Sequence, residues 1–520
     1  MTRTACNALL FALLLPLGCS EDSEGTGGAA GGGGTGGDAP NATVSPIDGA
    51  SLFTDAEISI VFDRSMNTSS LQLGGSMAAD GDGGAWSTTS VANDTLTISA
   101  NPRWDASALG TLTIDANDLD GGALSTLSLT YPILIRVSTF QRASVVIGQT
   151  DFSGKAANQG DAATANTLAL PYSMIFANGI LYASDYSNSR ILGFNGLPTT
   201  NGASADFVLG QSDFLGTSGG ADADQLNGPE QLASDGTRLV VAEWRNRRVT
   251  IHDNLPTSGP GVADVVVGQA DFGLDVANCT ASGADNLEGV AVAGDKLIVS
   301  EYSNRRILIW SSIPTTNGTP ADLVLGQASF TTCVENDDDQ DGSPDAVPSA
   351  RTLSGPSGIW SDGTRIAVAD YGNNRVLIWN NFPEASFTPA DVVLGQSDFS
   401  NNAPNDDDQD GVEDSAPTAR TFSSAYFVRS NGTQLVVAGY INNRVLVWNS
   451  FPTESFQPAD VVLGQSNFGG ATANDDDQDG VEDGAPTDRT IFGPSDLLIT
   501  GNQLLLADSG NNRILVFEGQ

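Results

Sequence analysis

LYASDYSNSRILGF (181–194) is echoed by LVVAEWRNRRVTIH (239–252), LIVSEYSNRRILIW (297–310), IAVADYGNNRVLIW (366–379), LVVAGYINNRVLVW (435–448) and LLLADSGNNRILVF (504–517). Most copies place an acid after the first apolar run, then a turn through Asn and an Arg opening a second apolar run. The Arg residues stand at 190, 248, 306, 375, 444 and 513, so the intervals are 58, 58, 69, 69 and 69 residues. Such a period marks a repeat architecture in which each unit buries its apolar face only against its neighbours. A second motif keeps step with the first: VVIGQTDF (145–152), FVLGQSDF (207–214), VVVGQADF (265–272), LVLGQASF (323–330), VVLGQSDF (392–399) and VVLGQSNF (461–468). With a leading run such as GPEQLASDG (228–236), each unit holds four short strands, the makeup of a β-propeller blade. The sequence thus predicts an all-β fold with six blades over 138–520. The array opens with the last strand of a blade and ends at Phe517 without one. Closure therefore requires 143–152 to pair beside 513–518, which leaves no open edge.

The six-fold motif resembles the NHL-repeat signature, Val-x-Asp-x-x-Asn-x-Arg-Ile-x-x-Phe, and that resemblance implies a six-bladed propeller. Ahead of it, 41–137 carries short alternating runs, ISIVF (58–62), TLTIS (95–99), TLTID (111–115) and LSLTYPILI (127–135), separated by Gly, Asp and Asn. Period-two runs at this spacing predict an antiparallel sandwich. SPIDGA (45–50) and IVFDRSMN (60–67) resemble the bacterial Ig-like domains, which implies a spacer or adhesive module.

The first residues read as an address. Met1-Thr2-Arg3, an apolar run from Ala8 to Leu17 and Gly18-Cys19-Ser20 make a secretory signal over 1–18, too short to span a bilayer. Cys19 with its polar tail resembles the lipobox of bacterial lipoproteins, which implies lipidation of Cys19; the alternative is a plain signal peptide cut nearby. Residues 19–40, rich in Gly, Ala, Thr and acid, form a flexible tether. The expected destination is across the inner membrane, on the outer membrane or cell surface, with membrane contact through the lipid alone.

The three longer repeats owe their length to one insertion: NDDDQDGSPDAVP (336–348), NDDDQDGVEDSAP (405–417) and NDDDQDGVEDGAP (474–486). Asp-x-Asp-x-Asp-Gly sets carboxylates at positions 1, 3 and 5 of a turn that Gly permits, with a further acid at 9. These are Asp337, Asp339, Asp341 and Asp345; Asp406, Asp408, Asp410 and Asp414; and Asp475, Asp477, Asp479 and Asp483. Hard oxygen donors without His or Cys select Ca²⁺ over transition metals. The loops resemble those of EF-hands and thrombospondin type 3 repeats, although Pro348, Pro417 and Pro486 stand where an EF-hand has its bidentate Glu. The alternative is an acidic solvated loop.

The paired acid and Arg of the repeat (Asp185 with Arg190, Glu243 with Arg248, Glu301 with Arg306, Asp370 with Arg375, Asp508 with Arg513) predict one structural ion pair per blade. Gly439 replaces the acid of the fifth, leaving Arg444 open to an anion. The six Gln of the Gly-Gln motif, Gln149, Gln211, Gln269, Gln327, Gln396 and Gln465, are expected to bond repeat to repeat. Cys279 and Cys333 occupy equivalent loops of neighbouring blades, and export permits a disulfide between them. His252, the only His, takes the place of Phe or Trp in other repeats and predicts a packed position.

With 22 basic against 63 acidic residues the net charge is −41, which opposes any polyanionic partner such as nucleic acid. Of those acids 17 lie in the three insertions. One His excludes zinc sites built on several imidazoles, and no His-Glu-x-x-His or phosphate loop occurs. No catalytic residue is assigned. The expected function is binding, by a monomer, of a protein or glycan on the propeller face. The alternative is a lactonase-like hydrolase or lyase with a metal in the channel, for which Glu230, Glu288 and Asp496 are the candidates.

Overall fold

The computed structural model describes residues 39–101, 103–105 and 109–520. The signal segment, Cys19 and nearly all of the tether lie outside the described residues. Between 42 and 134 the alternating runs form two four-stranded sheets. One runs in the order Ala42–Ser45, Glu57–Phe62, Thr95–Ser99, Ala85–Ser87; the other Leu52–Phe53, Leu127–Leu134, Leu109–Asp115, Gln72–Gly74. In Glu57–Phe62 the odd–even alternation buries Ile58, Ile60 and Phe62. They share a core with Leu112, Ile114, Leu129 and Tyr131 of the second sheet. The two polar-tipped rings in that core are satisfied by main chain: Trp104 Nε1 donates to Ala56 O at 2.8 Å and Tyr131 Oη to Pro46 O at 2.9 Å.

Beyond 145 the chain makes six four-stranded antiparallel sheets, the blades. Their first strands are Pro171–Ala177, Pro229–Ser234, Leu287–Ala293, Pro356–Ser361, Ala425–Ser430 and Pro494–Thr500. Each first strand contacts those of the two neighbouring blades, and Pro171–Ala177 contacts Pro494–Thr500, so the six form a closed ring round a central channel. The sixth sheet takes its fourth strand from Val145–Ile147, paired antiparallel with Arg513–Glu518 through Ile514↔Ile147 and Val516↔Val145. The molecule is a six-bladed β-propeller.

Strands inside a blade are buried on both faces because each face meets another blade. Six buried clusters result, one at each blade interface. Between the second and third blades, for example, Val240, Val249 and Ile251 pack with Leu297, Val299, Leu308 and Trp310. The cluster between the fifth and sixth blades continues into the sandwich core. Burial of each such side chain stabilises by roughly 1.5–3 kcal/mol. Gln434 clips the two parts together: its Oε1 accepts from Ile135 N at 2.8 Å and its Nε2 donates to Ile135 O at 2.9 Å. No helix among the described residues is long and apolar enough to cross a membrane.

Candidate metal loops and channel site

The turn before each Arg is left-handed, at Ser189, Arg247, Arg305, Asn374, Asn443 and Asn512, with φ of 48–55°. Asn tolerates this backbone better than most residues, which accounts for the Asn-Asn-Arg spelling of the later repeats. The turn delivers Arg and acid to directly paired positions, as in Asp185↔Arg190 and Asp370↔Arg375. Five wholly buried ion pairs follow. Arg190 Nε lies 2.7 Å from Asp185 Oδ2, Arg248 2.9 Å from Glu243, Arg375 2.9 Å from Asp370 and Arg513 2.7 Å from Asp508, and Arg306 meets Glu301. The rest of each guanidinium ties down loops. Arg375 donates to Phe399 O at 2.7 Å and to Ser349 O and Thr352 O at 3.0 Å. These arginines hold the ring together and touch no open site.

In the fifth blade Gly439 offers no acid. Arg444 keeps its bonds to Phe468, Thr418 and Thr421 carbonyls, but its buried Nε has no partner. Burial pushes this guanidinium down to about 9. Asn442 takes over one duty of the missing carboxylate, its Oδ1 accepting from Ser423 N at 2.7 Å.

The Gly-Gln glutamines bond more locally than repeat to repeat. Gln211 Nε2 donates to Ser189 O, in its own blade's turn, and to Ser218 O seven residues on, each at 2.9 Å. Only Gln149, which belongs to the chain's first motif, reaches a distant partner, Asn512 O at 3.0 Å, because its strand completes the last blade. The preceding Gly is required by space. Gly326 has φ 86°, and a Cβ there would sit 2.8 Å from Arg305 O. Cys279 and Cys333 are joined as a disulfide between equivalent loops, with Cα atoms 6.5 Å apart. His252 is buried, and its Nδ1 lies 3.2 Å from Val262 O. Trp310, Trp379 and Trp448 donate to the matching carbonyls of Thr319, Thr388 and Gln457.

Each acidic insertion joins the fourth strand of one blade to the first strand of the next. In each, three carboxylates lie with one oxygen apiece within 4.8 Å of the others: Asp337, Asp339 and Asp345; Asp406, Asp408 and Asp414; Asp475, Asp477 and Asp483. The fourth acid of each sequence set, Asp341, Asp410 or Asp479, is outside this group. Its Oδ1 instead accepts the backbone N–H two residues on, at 2.7 Å from Ser343, 2.9 Å from Val412 and 2.8 Å from Val481.

Asp337 is buried and receives Gly342 N at 3.1 Å. Gln340, Gln409 and Gln478 stitch the loops to the strand ends behind them, for instance Ser466 N to Gln478 Oε1 at 2.9 Å. Asn336 and Asn474 then couple loop to blade. Asn336 exchanges amide bonds of 3.0 and 2.9 Å with Asn373, which donates at 2.7 Å to Asp370 of the ion pair. In the blade that lacks its acid, the equivalent Asn405 Oδ1 is left without a partner. In the second loop the like charge of Asp410 beside it raises the Asp408 carboxyl above its usual range. Hard oxygens converging from three acids fit a divalent cation of the Ca²⁺ kind.

The channel holds the other candidates. Every first strand slips register just after its first residue, between Pro171 and Met174 in the first blade and at the same place in the other five. The two residues at the bulge converge on the axis. At its first position stand Tyr172, Glu230, Glu288, Ser357, Tyr426 and Ser495. Tyr172 and Tyr426, from non-adjacent blades, bring their rings to 6.0 Å.

The serines are consumed by structure. Ser357 Oγ donates to Tyr426 O at 2.5 Å and Ser495 Oγ to Tyr172 O at 2.8 Å. Asp496, at the second position, is likewise saturated. It takes Arg429 in two bonds of 2.8 and 2.6 Å, Ser173 Oγ at 2.6 Å and Leu497 N at 2.8 Å. It is a tie across the ring rather than a free acid.

Glu230 and Glu288 differ. They are 3% and 4% exposed, and Oε2 of each has no hydrogen-bond partner. Burial pushes both carboxyls well up, and the like charge of Glu288 adds to the effect on Glu230.

Above the two glutamates lies a collar of rings that sequence reasoning passed over. Tyr186, Trp244, Tyr302, Tyr371 and Tyr440 occupy the position after the acid site in five of six repeats, a regularity visible in the motif itself. Their rings run in contact, Trp244–Tyr302 at 5.6 Å, Tyr302–Tyr371 at 6.1 Å, Tyr371–Tyr426 at 5.6 Å and Tyr426–Tyr440 at 5.2 Å. Tyr172–Tyr186 at 4.8 Å extends the chain, and Arg245 lies over Tyr186 at 4.6 Å. The acidic loops open onto this same face. At the other end of the strands a cavity of about 400 Å³ is lined by Ile175, Phe176, Trp360, Leu498 and Arg429 among others.

No family model matches the chain, and no curated protein matches it. Solved structures resemble it only at low identity. The PQQ-bound aldose sugar dehydrogenase of Streptomyces coelicolor is 16% identical with a TM-score of 0.37, covering 69% of this chain and 96% of its own. The glutaminyl cyclase of Myxococcus xanthus is 14% identical with a TM-score of 0.28, covering 54% and 88%. A chain of the nidogen/laminin complex is 13% identical with a TM-score of 0.30, covering 56% and 84%. The propeller stands on the chain's own six sheets, and none of these proteins' chemistry transfers.

Proposed function

We propose that this chain is an exported binding protein, anchored through a lipid on Cys19 and held off the membrane by residues 19–40, whose NHL-like propeller presents one face to a protein or glycan ligand. An Ig-like sandwich over 41–137 serves as the spacer. Three Ca²⁺ ions, one in each insertion, stiffen the rim of that face. The convergence of three carboxylate oxygens within 4.8 Å in each insertion carries this reading. Asp337, Asp339 and Asp345 and their counterparts are the ligands; Asp341, Asp410 and Asp479 join by releasing their local turn bonds. The strand-to-loop stitching by Gln340, Gln409 and Gln478 passes the order of the loop to the blade.

The rival reading, a hydrolase or lyase with a metal in the channel, draws on Glu230 and Glu288, whose raised carboxyls are of the kind found at reactive sites. It lacks a third oxygen donor, since Asp496 is held by Arg429. Thermal unfolding in Ca²⁺ and in chelator tests the proposal. Each site that Ca²⁺ fills at a hundredfold over its dissociation constant adds about 2.7 kcal/mol. A melting temperature indifferent to millimolar Ca²⁺ contradicts it.

A further inference from the structure

The pair of glutamates at the channel mouth is an anomaly in a molecule whose other buried charges, Arg444 apart, are matched. Five blades bury a carboxylate against an Arg, and Asp496 is held by four bonds. Glu230 and Glu288 sit at the same bulge position of adjacent blades, more than nine-tenths buried, each with an oxygen bonded to nothing. Their surroundings are aromatic: Tyr172, Tyr186, Tyr426 and Tyr440 feel the charge of Glu230, and Tyr172, Tyr186, Tyr302 and Tyr426 that of Glu288. Arg245 at the rim, exposed and stacked on Tyr186, offsets only part of the charge of Glu230. Two carboxylates in so dry a place cannot both stay ionised without a cation between them.

The chemistry of the walls selects that cation. A bare divalent ion wants six or more oxygens, and the serines at two of the other bulge positions are spent on backbone carbonyls. An alkylammonium asks for less: hydrogen bonds from its N–H groups to carboxylates, and ring faces round its methylenes. Tyr172, Tyr186, Tyr302, Tyr371 and Tyr440, all partly exposed, line the approach.

We propose that Glu230 and Glu288, under the collar of Tyr172, Tyr186, Tyr302, Tyr426 and Tyr440, bind a primary ammonium group, carried by a small amine or by a lysine side chain of a partner protein. This deepens the binding reading above and rests on it, naming the chemistry the propeller face recognises.

The test uses the full chain and calorimetric titration with n-butylamine in one arm and Nα-acetyl-lysine amide in the other. The expected result is one site per chain for at least one probe. Binding to the free amine alone assigns a small amine, and binding to the lysine amide assigns a protein-borne lysine. Glu230→Gln and Glu288→Gln each weaken it at least tenfold, while their melting temperatures stay equal to or above that of the parent, since each removes a buried carboxyl that has no matched partner. Neither probe binding at millimolar concentration overturns the proposal. So does binding that survives both substitutions, or amine displaced in competition by Ca²⁺. Calcium-dependent melting measured on the same samples keeps this test separate: loops that take Ca²⁺ in a chain that refuses amines refute the ammonium site alone.

Discussion

At position 439 the fifth repeat has Gly where the other five have Asp or Glu, and the cost falls on Arg444, buried with its Nε unbonded. There is room for the missing side chain, since a Cβ on Gly439 would have its nearest neighbour, Arg444 O, at 3.4 Å. Removing one partner of a buried pair costs 3–5 kcal/mol where it has been measured, so restoring one here, against carbonyls that already soften the charge, is expected to add about 2 kcal/mol. Gly439→Asp should therefore raise the melting temperature, and chemical denaturation gives the magnitude.

The channel glutamates give the opposite sign. Burial lifts both carboxyls above their ordinary 4.5, so the stability they contribute is full below that value and is lost as pH rises through the folded-state range. Tyr172, Tyr186, Tyr302, Tyr426, Tyr440 and Arg245 are the groups that face them. In the absence of amine, the parent chain should lose stability relative to the Glu230→Gln/Glu288→Gln double variant as pH climbs from 4.5. Parallel curves for the two proteins would show that both carboxylates are compensated.

At the scale of the element, the acidic insertion behaves as a replaceable unit. It adds 11 residues between two strands without disturbing either, and it is tied to the blade through Gln and Asn and, at Asp338, Asp407 and Asp476, through Ser349, Thr418, Thr487, Arg351 and Arg489. Asp406→Asn with Asp408→Asn should remove one Ca²⁺ of three from the calorimetric stoichiometry and leave the other two affinities unchanged; loss of all three would mean that the loops act together.

The strands and turns of the blades were legible in the motif, because apolar runs, Asn turns and the Gly-Gln stop are local chemistry repeated six times. The membership of the loop clusters was legible to the level of which loop. Asp341, Asp410 and Asp479 stand outside the clusters, since a carboxylate two residues ahead of a free N–H closes its own turn. The role of Glu230 and Glu288 was not legible. Spacing within a repeat does not tell which bulge residue points at the axis, and a ring that faces both, Tyr426, comes from a blade 196 residues from Glu230 and 138 from Glu288. The tyrosine collar was written in the motif, one position after the acid, but its meaning appears only when the ring closes.

For the whole molecule, closure is the decisive event. Val145–Ile147 pairs with the last blade and Gln149 reaches Asn512, so the two ends of the array are one sheet. Deleting 140–152 should open the sixth blade, expose its edge and abolish the cooperative melt; an unchanged melt would mean that closure contributes nothing. The same closure sets the acidic loops and the tyrosine collar on one face, where 17 of the 63 acids are concentrated into places a cation can occupy. The most direct measurement is a crystal structure grown in Ca²⁺ and read for anomalous density. The account predicts a peak in each of the three insertions, between Asp337 and Asp345, Asp406 and Asp414, and Asp475 and Asp483, and none in the channel. Density between Glu230 and Glu288 with empty loops would contradict it.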